Sequence, residues 1–293
     1  MKIGLLTRNP RAWCSSRIIN AIKERGVNPV YFRFPEVTAR VACKPEFTIK
    51  REIDALKNLK AVIVRPIGRG SLDEIVFRLD YLHRMERLGL LVINSPSSIE
   101  KAVDKYYALT LLEEKGIKVP RTVVTEDPKR ALEAFNELGG DVVVKPIFGS
   151  RGMGITRVSD AEIASRIFRS LSFHHYVLYI QEFIPHGSRD IRAFVVGDRI
   201  LAAMYRVAES WKTNVSQGAN AVPFIHTSEV EEIAVKAAEA LGCEIAGVDI
   251  MEGPNGYLVN EINSQPGFKG LQLSTKVDIA GGIVDYVLKK ISR

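Results

Sequence analysis

The oxygen-bearing side chains best suited to hold a metal ion lie close together near the carboxyl end of this 293-residue chain. Residues 247–267 read Gly-Val-Asp-Ile-Met, then Glu-Gly-Pro-Asn-Gly, then Tyr-Leu-Val-Asn-Glu-Ile-Asn-Ser-Gln-Pro-Gly. Two apolar runs flanking a Gly-Pro-Asn-Gly turn are a strong hairpin signal. Asp249 interrupts the first run, and Glu261 and Asn263 interrupt the second. Residues two apart on a strand project from one face, so Glu261 and Asn263 share a side. A turn centred on Asn255 would set Asp249 opposite Glu261 and bring all three oxygens together. Two carboxylates and an amide suit a hard divalent cation such as Mg2+, which keeps waters and takes phosphate oxygens as further ligands. The competing reading of the same residues is the solvated face of an edge hairpin.

Groups suited to phosphate lie upstream. Asp141-Val-Val-Val-Lys145 reads as a buried strand that ends on a lysine and leads into Pro-Ile-Phe-Gly149-Ser150-Arg-Gly152-Met-Gly154. Glycines let backbone N–H groups approach phosphate oxygens closely, and the lysine adds a point charge. The order differs from a Walker loop, because Lys145 precedes the glycines. Lys105 adjoins the apolar stripe Ala102, Val103, Tyr106, Leu109 and Leu112 of a helix, where a snorkelling surface lysine is the ordinary reading. Glu182 follows the strand Val177–Gln181, and with nearby backbone it could hydrogen-bond an adenine among apolar side chains. Asp190 and Arg192 share one face of a strand, and Arg206 ends the next. Such a set is either a structural ion-pair net or a bidentate grip on a substrate carboxylate or phosphate. The polar stretch 211–220, containing Lys212, Thr213 and Asn214, reads as a loop able to carry function.

The elements that must position these groups begin with alternating strands and helices over residues 1–96. Strands are expected at Ile3–Thr7, Pro29–Phe34, Ala61–Val64 and Leu90–Ile93, with helices at Ile18–Arg25 and around Leu72–Leu88. A polar helix rich in Lys and Glu is expected before Ala61. The alternation argues for a parallel sheet with covering helices. No Gly-x-Gly-x-x-Gly follows the first strand, which removes the main support for a dehydrogenase. Ser97-x-x-Glu100 reads as a capping box opening one helix to about Lys115. Further helices are expected over Pro128–Leu138, Ser228–Leu241 and Ile279–Ile291, with a strand at Val119–Val124.

A hydrophobic fraction of 46% and a charged fraction of 26% describe a globular protein with a substantial core, and the length suggests two or three units. The net charge of +7 favours anionic partners, but no Lys/Arg block interleaved with aromatics points to nucleic acid. No apolar run reaches membrane-spanning length, and no signal peptide opens the chain. The isolated cysteines Cys14, Cys43 and Cys243 fit a reduced, cytoplasmic protein.

Lys105, Lys145 with its glycine loop, Glu182, Asp190-x-Arg192, Asn214 and Asp249…Glu261-x-Asn263 stand in an informative order. Over about residues 95–290 the chain resembles the ATP-grasp ligases, specifically the RimK-type α-L-glutamate ligases, with Asn260-Glu-Ile-Asn-Ser-Gln-Pro-Gly267 the most specific piece. Within that group it is similar to archaeal ligases that add glutamate to tetrahydromethanopterin. Ligases acting on a deazaflavin coenzyme, a ribosomal protein tail or an amino-group carrier protein are the alternatives. The resemblance implies an α/β (α+β ATP-grasp) fold: a preATP-grasp domain over 1–96, a central subdomain over 97–180 and a carboxy-terminal subdomain over 181–293, with antiparallel sheets clasping ATP. It implies that Lys105, Lys145 and the loop residues Gly149, Ser150, Gly152 and Gly154 meet the phosphates. Gln181, Glu182, Phe183 and Ile184 would pair with the adenine edge. Asp190 would bind the ribose side, and Lys212, Thr213 and Asn214 would lie near the phosphates. Asp249, Glu261 and Asn263 would hold Mg2+ or Mn2+, two ions in all, and Arg192 and Arg206 would serve the substrate carboxylate or acyl phosphate. L-Glutamate and a carboxylate-bearing cofactor are the expected partners, with a homo-oligomer left open. The linker from Glu182 to Asp190 is compact for the group, and Lys212-Thr213 replaces other polar residues. Two other functions share the nucleotide fold: a phosphotransferase acting on a hydroxyl, and a nucleotide-binding regulatory module without catalysis.

Overall fold

Runs of valine, isoleucine and leucine too short to be helices build most of the first sheet, and its central strands are buried on both faces. The computed structural model describes residues 1–51, 53–149, 152–213 and 218–292. In chain order, β1 (Lys2–Leu6), α1 (Trp13–Glu24) and β2 (Asn28–Phe32) lead into three short strands, β3 (Val37–Ala39), β4 (Phe47–Ile49) and β5 (Ile53–Asp54). The single turn α2 (Ala55–Asn58) follows, then β6 (Ala61–Val64), α3 (Leu72–Arg87) and β7 (Leu91–Ile93). The parallel sheet runs β2-β1-β6-β7. The polar helix expected before Ala61 is reduced to the single turn α2, and the small antiparallel sheet β3-β4-β5 takes up the rest of that stretch. Its apolar residues alternate with polar ones, and Phe47 and Ile49 are both fully buried, with Phe47 edge-on to Tyr81 at 4.9 Å.

The helix expected from Ser97 is two helices, α4 (Pro96–Val103) and α5 (Lys105–Glu114). Ser95, not Ser97, caps the first by accepting from the Ser98 N–H. Asp104 breaks the run because its carboxylate accepts from the Tyr107 N–H at 3.0 Å and restarts the helix, a role its side chain favours over a helix interior. Next come β8 (Thr122–Thr125), α6 (Pro128–Glu137), β9 (Val142–Lys145), β10 (Thr156–Val158), α7 (Ala161–Phe173) and β11 (Leu178–Glu182). These strands form an antiparallel sheet in the order β10-β9-β11-β8, backed by α6 and α7.

The last sheet is antiparallel, in the order β14-β13-β12-β15-β16. It comprises β12 (Arg189–Val196), β13 (Arg199–Val207), β14 (Asn220–Pro223), β15 (Ile245–Gly253) and β16 (Gly256–Asn263), with α8 (Ser228–Leu241), α9 (Lys269–Thr275) and α10 (Ile279–Ile291) around it. One face, carrying Ile191, Ala193 and Val195, packs on α8 and α5. The other changes character along its length. Asp190 and Arg192 lie at one end of β12, while Phe194 and Val196 at the other end join α1, α10 and the parallel sheet in a shared core.

Asn94, immediately after β7, fastens the parallel sheet to this last sheet. Its Nδ2 donates to Ile245 O at 2.7 Å and to Ser264 O, and its Oδ1 accepts from the Glu244 and Ile245 N–H groups at 2.8 and 2.9 Å. Asn94 is 2% exposed, so truncation would leave buried backbone groups unpaired. Asn94→Ala is expected to lower stability by about 2–4 kcal/mol in urea unfolding. A loss under about 0.5 kcal/mol would show that the clamp is not needed.

Candidate active site

The face between the two antiparallel sheets collects nearly every polar group singled out above. The hairpin β15–β16 sets Asp249 opposite Glu261, as expected, and Gly247 opposite Asn263, but its two-residue turn pairs Gly253 with Gly256, a register that on its own would set Asp249 opposite Asn260. The ladder then slips, for Ile250 pairs with Val259, which leaves Asn260 as the extra residue of a β-bulge. The bulge lets both Val259 and Ile262 face the core behind the sheet, while Asn260 and Glu261 both line the cavity in front. Sequence reasoning missed Asn260 as a site residue because strict alternation would bury it.

Lys145, at the end of β9, is the group Asn260 meets. Its Nζ donates to Asn260 Oδ1 at 2.9 Å and to Gln181 Oε1 at 2.6 Å. Gln181 is held in turn by donating to Thr122 Oγ1 at 2.9 Å and Tyr179 Oη at 3.2 Å. Burial pushes the Lys145 pKa down to about 8, with nearby Glu261 opposing the fall and Lys105 adding to it. Lys105 is no snorkelling lysine: its side chain is 11% exposed, and its Nζ donates to Gly149 O at 3.0 Å and lies 3.8 Å from Glu261. It therefore ties the glycine loop to the hairpin.

On the neighbouring strands the expected arginine–carboxylate set forms a buried chain. Arg192 stands opposite Asp249 and makes a two-pronged pair with it, Nη2 to Oδ2 at 2.8 Å. Arg206 Nη2 reaches the same Asp249 oxygen at 2.9 Å, and its Nε donates to Asp190 Oδ1 at 2.7 Å. Thr213 Oγ1 donates to Asp190 Oδ2 at 2.7 Å. Burial alone would raise the Asp249 carboxyl, but Arg192 and Arg206 outweigh it and hold the pKa below the ordinary range. Burial would likewise lower Arg206, yet Asp249 and Asp190 leave its pKa raised.

The cleft these groups line encloses about 880 Å³ of non-protein space, its open mouth included, within the range of small-molecule sites. Gly149, Gly152, Lys212, Glu182 and Phe183 also line it. So do His186, Trp211, Met153 and Met251, which the sequence reading did not single out. Phe183 meets Trp211 edge-on at 5.9 Å, giving aromatic surface for a flat ring. Glu182 accepts from Arg121 N–H and Nε at 2.8 and 2.7 Å, and the N–H groups of Glu182 and Phe183 go to Arg121 O and Asp141 O. Gly154, Ile184, Arg192 and Asn263 are not lining residues; Ser150 and Asn214 lie outside the described residues.

The donor set fits a hard divalent cation. Glu261 is the carboxylate facing the cleft with no hydrogen bond among the described residues, and Asn263, two residues on, would offer its amide oxygen, since its unpartnered Nδ2 is a donor and no metal ligand. Asp249 is at hand across the register, although two guanidinium groups occupy it.

Residues 1–99 match the RimK PreATP-grasp domain, and residues 102–287 match the RimK-like ATP-grasp domain. The chain belongs to the RimK-like ATP-grasp family. It is 36% identical over 319 residues to the tetrahydromethanopterin:α-L-glutamate ligase of Methanosarcina acetivorans, covering 98% of both chains. With the enzyme of the same name from Methanococcus maripaludis it shares 33% over 293 residues, again covering 98% of each. Among solved structures it is similar to the ATP-grasp ligase PsnB complexed with a precursor variant, Mg and ADP, at a TM-score of 0.76, 25% identity and 99% and 98% coverage. This RimK-like protein is an ATP-dependent carboxylate–amine ligase of ATP-grasp fold.

Only the protonated Lys145 attracts phosphate oxygens, so the ligase is expected to bind ATP with constant affinity below about pH 8 and more weakly above, taking up a proton on binding in that upper range. Calorimetry in buffers of different ionisation enthalpy measures both. An affinity that stays flat to pH ~9.5 would contradict the assignment, and Lys145→Gln should abolish the dependence.

Proposed function

We propose that this ligase joins the α-amine of L-glutamate to a carboxylate of tetrahydromethanopterin through an acyl phosphate. The observation that carries the acceptor is the end-to-end likeness to ligases of that name in two methanogens. The basic balance of the chain, +7, suits an anionic acceptor.

An oxygen of the acceptor carboxylate attacks the γ-phosphorus of ATP, the bond to the β-phosphate oxygen breaks, and ADP leaves. The nitrogen of glutamate then attacks the acyl carbon, phosphate departs with the C–O bonding pair, and the nitrogen gives up a proton. Lys105 and Lys145 offset charge on the transferring group, and the rest is positioning. The glycine loop, held at Gly149 O by Lys105, covers the phosphates and keeps water from the acyl phosphate. Arg192 commits Nε and Nη2 to Asp249, and Nη1, without a partner among the described residues, would meet the acceptor carboxylate and then the oxyanion. Arg206 acts through Asp249 and Asp190 and so positions the others. Mg2+ or Mn2+, two ions in our reading, held by Glu261, Asn263 and Asp249, would supply further neutralisation of phosphate charge.

Incubation with ATP, Mg2+, glutamate and tetrahydromethanopterin, followed by mass detection, is expected to show one added glutamyl mass, with ADP release requiring both glutamate and acceptor. A phosphorylated product without an amide would instead mark a phosphotransferase. Glu261→Ala is expected to cut turnover by at least about 100-fold, the scale of losing one transition-state charge contact; full turnover in that variant would remove it from the metal site.

A further inference from the structure

The reaction above uses the cleft between the antiparallel sheets and leaves unexplained a group of arginines on the parallel sheet. Most buried or half-buried arginines among the described residues have a carboxylate: Arg25 has Asp285, Arg78 has Glu74, Arg192 has Asp249 and Arg206 has Asp190. Arg8, Arg65 and Arg69 have none among the described residues. Arg65 is 7% exposed, yet the one side-chain hydrogen bond it makes among the described residues runs from Nη1 to Pro266 O at 2.9 Å, and its guanidinium lies 5.8 Å from the Phe268 ring. Burying a guanidinium without an anion is costly, and burial draws the Arg65 pKa down.

Their place in the topology is informative. From β1 the chain passes through α1 to β2 on one side, whereas β6 lies on the other side of β1. The carboxyl ends of β1 and β6 therefore flank the point where strand order reverses, which is where open parallel sheets take ligands. Arg65 directly follows β6, Arg8 stands two residues after β1, and Arg69 lies in the loop beyond Arg65. The first turn of α1 opens beside them, with no side-chain cap from Ala12, and Cys14 accepts from the Phe268 N–H at 3.5 Å. Uncapped N–H groups there add further donors for an anion.

The loop is built to hold these side chains. Arg78 of α3 donates to Ile67 O at 3.2 Å and Arg69 O at 3.0 Å. Gly68, at φ +88°, leaves a seat for the Arg8 stem: a Cβ there would stand 2.7 Å from Arg8 Cδ. Arg69 Nη2 reaches Met153 Sδ at 4.0 Å, and Met153 lines the nucleotide cleft. On the other side, Pro266 Cβ and Arg192 Nη1 lie 2.8 and 3.0 Å from where a Cβ on Gly247 would be, so Pro266, whose carbonyl Arg65 meets, also stands beside Arg192. Gln265, just before Pro266, has a buried Nε2 without a partner.

We infer that Arg8, Arg65 and Arg69 form an oxyanion clamp for a second anionic group of the acceptor, a carboxylate or phosphate remote from the carboxylate that reacts. The inference rests on reading the protein as a ligase with a separate, anionic acceptor. The planar donor forks of arginine suit either oxyanion, and an anion held there sets the distance at which the reacting carboxylate passes the Pro266 segment toward Arg192.

The test uses the full-length protein saturated with AMPPNP and Mg2+, so that the nucleotide cleft is filled, titrated separately with inorganic phosphate and with glutarate. Wild type is expected to bind at least one of them, and the preferred anion identifies the source. Arg8→Gln and Arg69→Gln, both on the surface, should weaken that binding at least about threefold, and Arg65→Gln about tenfold, as loss of a charge-assisted contact requires. Each variant should raise the KM for tetrahydromethanopterin by a similar factor without changing AMPPNP affinity. If wild type binds neither anion, or if Arg8→Gln and Arg69→Gln both bind like wild type, the clamp is wrong, whatever becomes of Arg65→Gln in folding. If the anion titrations behave as expected while tetrahydromethanopterin receives no glutamate, the clamp stands and the acceptor assignment falls.

Discussion

A buried line of alternating charge, running Thr213–Asp190–Arg206–Asp249–Arg192, fixes where the other polar groups of the cleft can stand. Asp190, Arg206 and Asp249 are each 4% exposed or less, and an ionised group at that depth is tolerated only when paired and hydrogen-bonded. Each carboxylate here has two donors from different elements. The line depends on register, since Arg192 faces Asp249 and Asp190 faces Arg206 directly across their strand pairs. A slip of one residue would turn all four into the apolar core behind the sheet.

The same strands explain how the ligase joins its parts. The sheet face that bears the charges becomes apolar two to four residues further along, where Phe194, Val196, Ala202 and Met204 meet α1 and α10. The boundary between reaction site and domain contact is thus a change of residue type along a continuous sheet, with no linker between them. Asn94 and Arg65 cross that boundary, each reaching backbone carbonyls in the segment 264–266 that follows the hairpin.

Much of this was readable beforehand where the signal is local. The Gly-Pro-Asn-Gly turn marked the β15–β16 hairpin, helix periodicity and Gly242 marked α8, and residue parity put Asp190 and Arg192 on one face. What escaped reading depends on partners distant in sequence. Asn260 turns to Lys145, more than a hundred residues earlier, through a bulge that leaves no mark in its own neighbourhood. Lys105 looks like a surface residue until the carbonyls of Ile147 and Gly149 meet it, and Asp104 breaks a helix whose apolar stripe runs straight through. The strands β3–β5 were hidden by the charged residues among which they lie.

Pairing within the cleft also bears on what it can accept. Glu182 has Arg121, Asp190 has Arg206, and Asp249 has Arg192, so these three carboxylates are neutralised before any substrate arrives. Of the remaining charged groups lining the cleft, Lys105, Lys145 and Lys212 are cationic and Glu261 is anionic. Three lysines against one carboxylate leave two positive charges, which suits a polyanion such as a nucleoside triphosphate. The low pKa of Lys145 has the same origin: with no phosphate present, a buried ammonium close to Lys105 holds its proton weakly, and a polyanion would restore it. Glu261, the carboxylate left without an arginine, is for that reason the one able to take a cation without breaking the buried line behind it.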